Sequence, residues 1–229
     1  MALLEITVQS LQAAIAAERA GANRIELCAN LNEGGTTPSI ELLQQVRAAV
    51  KIPLHVMIRP RAGDFFYTVG ELAEMKSQIA AARLANVEGV VFGILHKNRN
   101  VDVERTRELA QLAQPLNVTF HRAFDDAENL EQALEDVIAS GASRILTSGG
   151  AATASAGTAM LARLIAAAGS RIIVMPCAGI RPGNIDSLYR ATRAAEFHAG
   201  LGTILPYGAS DLTQFESEVR KLARLCISL

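Results

Sequence analysis

Short runs of β-branched and apolar residues recur along the chain at 3–8 (LLEITV), 24–28 (RIELC), 54–59 (LHVMIR), 87–93 (VEGVVFG), 117–122 (NVTFHR), 144–148 (RILTS), 171–176 (RIIVMP) and 194–199 (AAEFHA). Between them lie Ala- and Leu-rich segments with helical spacing, at 10–20, 38–50, 69–85, 102–114, 128–140, 157–168 and 182–192, and a last one at 211–226. The strand starts fall 21 to 33 residues apart, the size of a βα unit, and no Pro/Ser-rich linker interrupts the series. Three joints, "AGANRIEL", "SGASRILT" and "AAGSRIIV", each put a Gly where a helix ends and a strand begins. The pattern predicts an α/β chain forming a single (β/α)8 TIM-barrel domain over residues 1–229.

The barrel makes a statement about alternate strand positions, because one parity faces the helices and the other the barrel axis. Leu4, Ile6, Val8, Ile25, Leu27, Leu54, Val56, Ile58, Val118, Phe120 and Phe197 form the apolar, helix-facing set. The opposite parity is polar: Glu5, Thr7, Glu26, Cys28, His55, Met57, Arg59, Thr119, His121, Glu196 and His198. Branched apolar residues usually fill a barrel interior, and burying charge costs several kcal/mol unless it is paired or meets a ligand. Two explanations share these residues. Glu5 and Glu196, toward the middle of their strands, suit a structural network in which Arg59 and protonated histidines neutralise the glutamates. Cys28, Arg59, His121 and His198 fall at the carboxyl ends of four strands, the face where barrel enzymes place their chemistry.

Composition narrows the partners. Half of the 229 residues are hydrophobic, and 22 basic against 23 acidic side chains leave a net charge of -1, with no basic footprint for nucleic acid or a membrane surface. The opening "MALLEITV" has no signal-peptide organisation and no apolar run is long enough to span a membrane, so a cytoplasmic protein is expected. Cys28, Cys177 and Cys226 form no CxxC and predict reduced thiols. Short Ala-rich surface helices fit a homodimer.

Glu26 and His121 are the acid and base candidates, with His198 a second imidazole across the mouth. Arg59 and Arg61 in "RPRAGDFFY" suit a carboxylate or phosphate. The turns "TSGG" and "AGIRPGN" offer backbone N–H groups at Ser148, Gly149, Gly179 and Ile180, the second turn opening a helix with Pro182 and Gly183. Pro38 is expected to start the second helix. Arg122 has the parity to turn away from the mouth and pair with Asp125 or Asp126. The absence of Trp argues against a sugar-binding cleft.

"RIELCANLNEGGTTPS", "VMIRPRAGDFFY", "GVVFG", "VTFHRAFD", "RILTSGG" and "EFHA" together resemble the motif series of the copper homeostasis protein family CutC, whose members are single (β/α)8 barrels. Two segments depart from that family pattern, "PCAGI" at 176–180 and the short "GLGTILPYG" after "EFHA". The resemblance implies copper handling, with Cu(I) as the metal. Cu(I) prefers thiolate and thioether donors, which makes Cys28, with Met57 on the adjacent strand, the candidate ligand. Catalysis on a small anionic metabolite and a ligand-sensing barrel without turnover stand beside it.

Overall fold

The computed structural model describes residues 1–201 and 211–229. Eight strands run in chain order: β1 (Leu3–Val8), β2 (Arg24–Leu27), β3 (Leu54–Met57), β4 (Gly89–Phe92), β5 (Asn117–Phe120), β6 (Arg144–Thr147), β7 (Ile173–Pro176) and β8 (Glu196–Ala199). Each is followed by a helix: α1 (Leu11–Arg19), α2 (Ile40–Ala49), α3 (Val69–Leu84), α4 (Val103–Ala113), α5 (Leu130–Ser140), α6 (Thr158–Ala168), α7 (Ile185–Thr192) and α8 (Thr213–Ser228). All paired strands are parallel, in the order β7-β6-β5-β4-β3-β2-β1-β8, and β7 lies against β8 to bring the sheet nearly into a closed TIM barrel.

Local chemistry starts the helices where the strands release the chain. Ser10, Ser39 and Asp102 each accept a backbone N–H of the first turn, and Thr68 and Glu71 form a reciprocal capping box at α3. Two expected starts shift. Ser39 caps α2, so Pro38 precedes the cap, and α7 begins at Ile185, beyond Pro182 and Gly183. Asn184 explains the delay: its side chain accepts the Arg181 N–H and donates to Gly179 O, holding residues 181–184 as a turn.

The helix-facing strand positions form one continuous apolar core between sheet and helices. Cys226 is packed in it from α8. Inside the barrel, burial of charge is resolved by two arginines. Arg24 on β2 binds Glu5 and, at 2.5 Å, Glu196, while Arg144 on β6 binds Glu196 at 2.6 Å. The expected partners of the glutamates were Arg59 and protonated histidines; the structure puts Arg24 and Arg144 in the place of Arg59, and of the histidines His198 pairs with Glu5. Both arginines carry the inward parity, Arg24 two residues before Glu26. His55 sits in the same layer, buried, and Gly89 makes room for it: a Cβ there would lie 2.5 Å from the imidazole.

Candidate functional site

Above this charged floor the barrel opens into a cavity of about 160 Å³. Glu26 and Cys28 reach it from β2, Arg59 from the end of β3, His121 and Arg122 from the end of β5, and His198 from β8. Strand parity accounts for Glu26, Cys28, Arg59, His121 and His198, because each is an even number of residues from an inward neighbour. Phe65, which also lines the cavity, comes from the loop after β3 and had no periodic signal.

His198 links the floor to the cavity. Its Nδ1 is 2.7 Å from Glu5 Oε1, and its Nε2 faces Glu26 Oε2 at 3.8 Å. Burial opposes ionisation of Glu5, but Arg24 and the His198 hydrogen bond together hold this carboxyl well below its ordinary range. Burial also works against the imidazolium of His198, yet Glu26 and Glu5 raise its pKa above the usual value. Glu26 lacks an arginine, and burial raises its carboxyl above the ordinary range against the pull of His198. Thr7 and Cys28 flank Glu26, the Cys28 thiol at 3.5 Å from Oε2 and Thr7 close enough to favour the carboxylate, while Oε1 has no hydrogen bond of ordinary length among the described residues.

His121 faces the same cavity in a different state. Its Nδ1 accepts the Ala123 backbone N–H at 3.2 Å, capping a 3₁₀ turn at Arg122–Asp126. A backbone N–H can only donate, so the ring proton of the neutral imidazole resides on Nε2. Nε2 is buried and, among the described residues, without a hydrogen-bond partner. Burial, reinforced by the charge of Arg59, lowers the His121 pKa to about 3 and keeps the ring neutral.

Arg59 is buried, and among the described residues it has no carboxylate partner. Its terminal nitrogens donate to the carbonyls of Glu33, Gly35 and Gly63, tying two loops to the barrel mouth. The guanidinium stacks on Phe65, whose ring lies 4.9 Å from that of His121.

Several sequence candidates lie elsewhere. Arg61 turns outward to Asp64 and Glu71 and stacks on Tyr67. Ser148 and Gly149 do not present a vacant anion cradle, because Asp125 fills it: its carboxylate accepts the Ser148 and Gly150 N–H groups and the Thr147 and Ser148 hydroxyls. Arg122 pairs with Asp125 at 2.9 Å, so this aspartate is a tether between the loops after β5 and β6. Gly179 and Ile180 belong to the Asn184 turn and do not line the cavity. Most of "GLGTILPYG" lies outside the described residues.

Glu5, Glu26 and His198 bring ligand atoms within 4.8 Å of one another, but both Glu5 oxygens are already engaged by Arg24 and His198. The group therefore fits a proton-sharing relay better than a metal centre. Cys28 and Met57 pack together beside Gly35 and supply two soft atoms. Burial and the neighbouring Glu26 push the Cys28 thiol well above its ordinary pKa, and Cys177 packs in a separate cluster with Leu146 and Met175. Among the described residues the soft donors gathered at this point of the mouth are Cys28 and Met57, the type that Cu(I) prefers.

Comparison with known proteins adds kinship. The family model described as "CutC family" matches residues 2–203. A family protein CutC of Chromobacterium violaceum is 54% identical over 197 residues, covering 86% of this chain and 80% of the relative. The human copper homeostasis protein cutC homolog is 46% identical over 196 residues, covering 86% of this chain and 72% of its own. The crystal structure of a CutC protein from Streptococcus agalactiae superposes with a TM-score of 0.83 at 30% identity, covering 87% of this chain and 98% of that one. No described helix is long and apolar enough to cross a membrane.

Proposed function

The chain belongs to the CutC family, and from that premise we propose that its barrel mouth binds a small anionic metabolite and acts on it by acid/base chemistry. The observation that carries this reading is that two residues lining one cavity, Glu26 and His121, each hold a buried polar atom without a hydrogen-bond partner among the described residues, beside an arginine that has no carboxylate partner among them. Leaving such atoms unpaired costs about 1–3 kcal/mol each, a cost that a bound ligand removes. The pair differs in character. Glu26, its carboxyl raised by burial and with His198 behind it, suits proton exchange, whereas neutral His121 supplies a fixed donor. Arg59 sets the charge preference of the ligand.

The test is thermal unfolding with a panel of small carboxylates and phosphates. At least one raises the midpoint of the wild-type protein, and Glu26→Gln or His121→Asn removes the increase. A panel without effect, or an effect indifferent to both substitutions, refutes the reading.

A second reading, copper handling, is favoured by the contact between Cys28 and Met57 and by the names of the relatives. Anaerobic Cu(I) titration decides it: Cys28→Ser abolishes binding and Cys226→Ser leaves it intact. Unchanged stoichiometry in Cys28→Ser removes copper from the barrel mouth.

A further inference from the structure

We infer that the reaction in this cavity is proton transfer at the carbon next to a carbonyl group of a small 2-oxo acid, with Glu26 as the base and His121 as a hydrogen-bond donor to the carbonyl oxygen. The inference rests on the acid/base reading above and specifies its substrate class. It stands on the difference in hydrogen-bonding state between the two cavity groups. An acid/base pair of equivalent histidines would serve many reactions. Here one group is held as a donor and the other as an acceptor.

His121 Nε2–H is fixed from both sides. Ala123 N–H occupies Nδ1, and the ring leans on Gly93 so closely that a Cβ at that position would lie 2.7 Å from Nδ1. Phe65 covers the ring from the loop side. A donor held in a fixed orientation stabilises negative charge that develops on an oxygen during reaction. Glu26 Oε1 provides the unpaired acceptor, and its other oxygen rests against Cys28 and His198. Glu5 orients His198 in turn through the 2.7 Å hydrogen bond. Glu5 and His198 are thus positioning residues for Glu26.

The step balances without a co-reactant. Glu26 takes a proton from the carbon beside the carbonyl, the C–H electron pair becomes the C=C bond of an enolate, and the carbonyl π pair moves onto oxygen facing His121 Nε2–H. Returning a proton from Glu26 to the same carbon re-forms the carbonyl group, and where the Glu26 proton has meanwhile exchanged with solvent the net result is hydrogen exchange at that carbon. The charge of Arg59, which lacks a carboxylate partner among the described residues, favours a carboxylate-bearing substrate.

Two measurements test the inference. In wild-type protein with ¹⁵N-labelled histidine, His121 appears by NMR as the Nε2–H tautomer and stays neutral through weakly acidic pH; this needs no variant. An Nδ1–H tautomer, or ordinary titration, overturns the donor role. In D₂O, with pyruvate, 2-oxobutanoate and hydroxypyruvate as probes, the protein accelerates deuterium incorporation next to the carbonyl of at least one. Glu26→Gln lowers that rate by roughly 10²-fold or more, and His121→Asn lowers it by about 10²- to 10³-fold. Acceleration absent for all three probes, or insensitive to Glu26→Gln, overturns the inference. If the acids bind in a Glu26- and His121-dependent manner without exchanging, the inference falls and the binding reading stands. If they do not bind while another small anion does, the inference falls alone.

Discussion

The carboxylate of Asp125 sits on the backbone N–H of Ser148, at 3.0 and 3.1 Å from its two oxygens. The Gly-rich turn after β6 is thus built as an anion cradle and holds an anion supplied by the chain itself. This explains why the "TSGG" signal pointed to a ligand that the geometry does not leave room for.

Asp125→Ala empties that cradle. The buried carboxylate accepts several hydrogen bonds, so the substitution lowers stability by about 3 kcal/mol. Sulfate added to the variant restores part of the loss and changes the wild-type protein less, as read by the unfolding midpoint. Equal responses in the two proteins would show that the cradle does not accept an external anion.

Arg24 is the hub of the barrel floor, since it engages both Glu5 and Glu196. Arg24→Met leaves two buried carboxylates short of a partner and costs about 3–5 kcal/mol in urea unfolding. Combining it with Glu5→Gln recovers part of that loss, because the second change removes one stranded charge. A double variant less stable than the sum of both singles would contradict the pairing.

Gly93 is where the chain makes room for His121. A Cβ would lie 2.7 Å from His121 Nδ1 and 3.0 Å from Phe120 Cε1, so Gly93→Ala costs about 1–3 kcal/mol through overpacking. Gly183, with open space around it, is the control, and Gly183→Ala stays within about 0.5 kcal/mol of wild type. Similar effects at the two sites would show that the His121 ring is free to move aside.

The histidines set an acid limit. Burial lowers His55, against the attraction of Glu5, to about 4, and burial with Arg59 lowers His121 to about 3. Below an unfolded pKa of about 6.5 the unfolded chain protonates both rings while the native state does not, so their stabilisation is lost as pH falls toward those values. Each contributes a slope of about 1.4 kcal/mol per pH unit. His198 has the opposite sign: its contribution is full below the unfolded pKa and declines as pH rises through its higher folded value. Urea unfolding between about pH 6.5 and 4.5 therefore shows falling stability, and His121→Asn removes roughly one proton from the slope. An unchanged slope in that variant would mean that His121 is not held neutral.

The periodicity of the chain by itself determined the eight strands, their helices and which side chains turn inward, because a parallel strand between helices and barrel axis has only two faces to assign. That parity placed Glu26, Cys28, Arg59, His121 and His198 around one axis before any distance was known. It did not determine their electrical partners, which depend on strand stagger and on side chains far apart in sequence: Arg24 reaches Glu196, and Arg144 reaches it from another strand. Nor did residue type separate a vacant cradle from one filled by Asp125, or a protonatable histidine from one fixed as a donor by Ala123 N–H. Those distinctions belong to the tertiary structure, since hydrogen bonds and desolvation depend on which groups meet in three dimensions once water has been excluded.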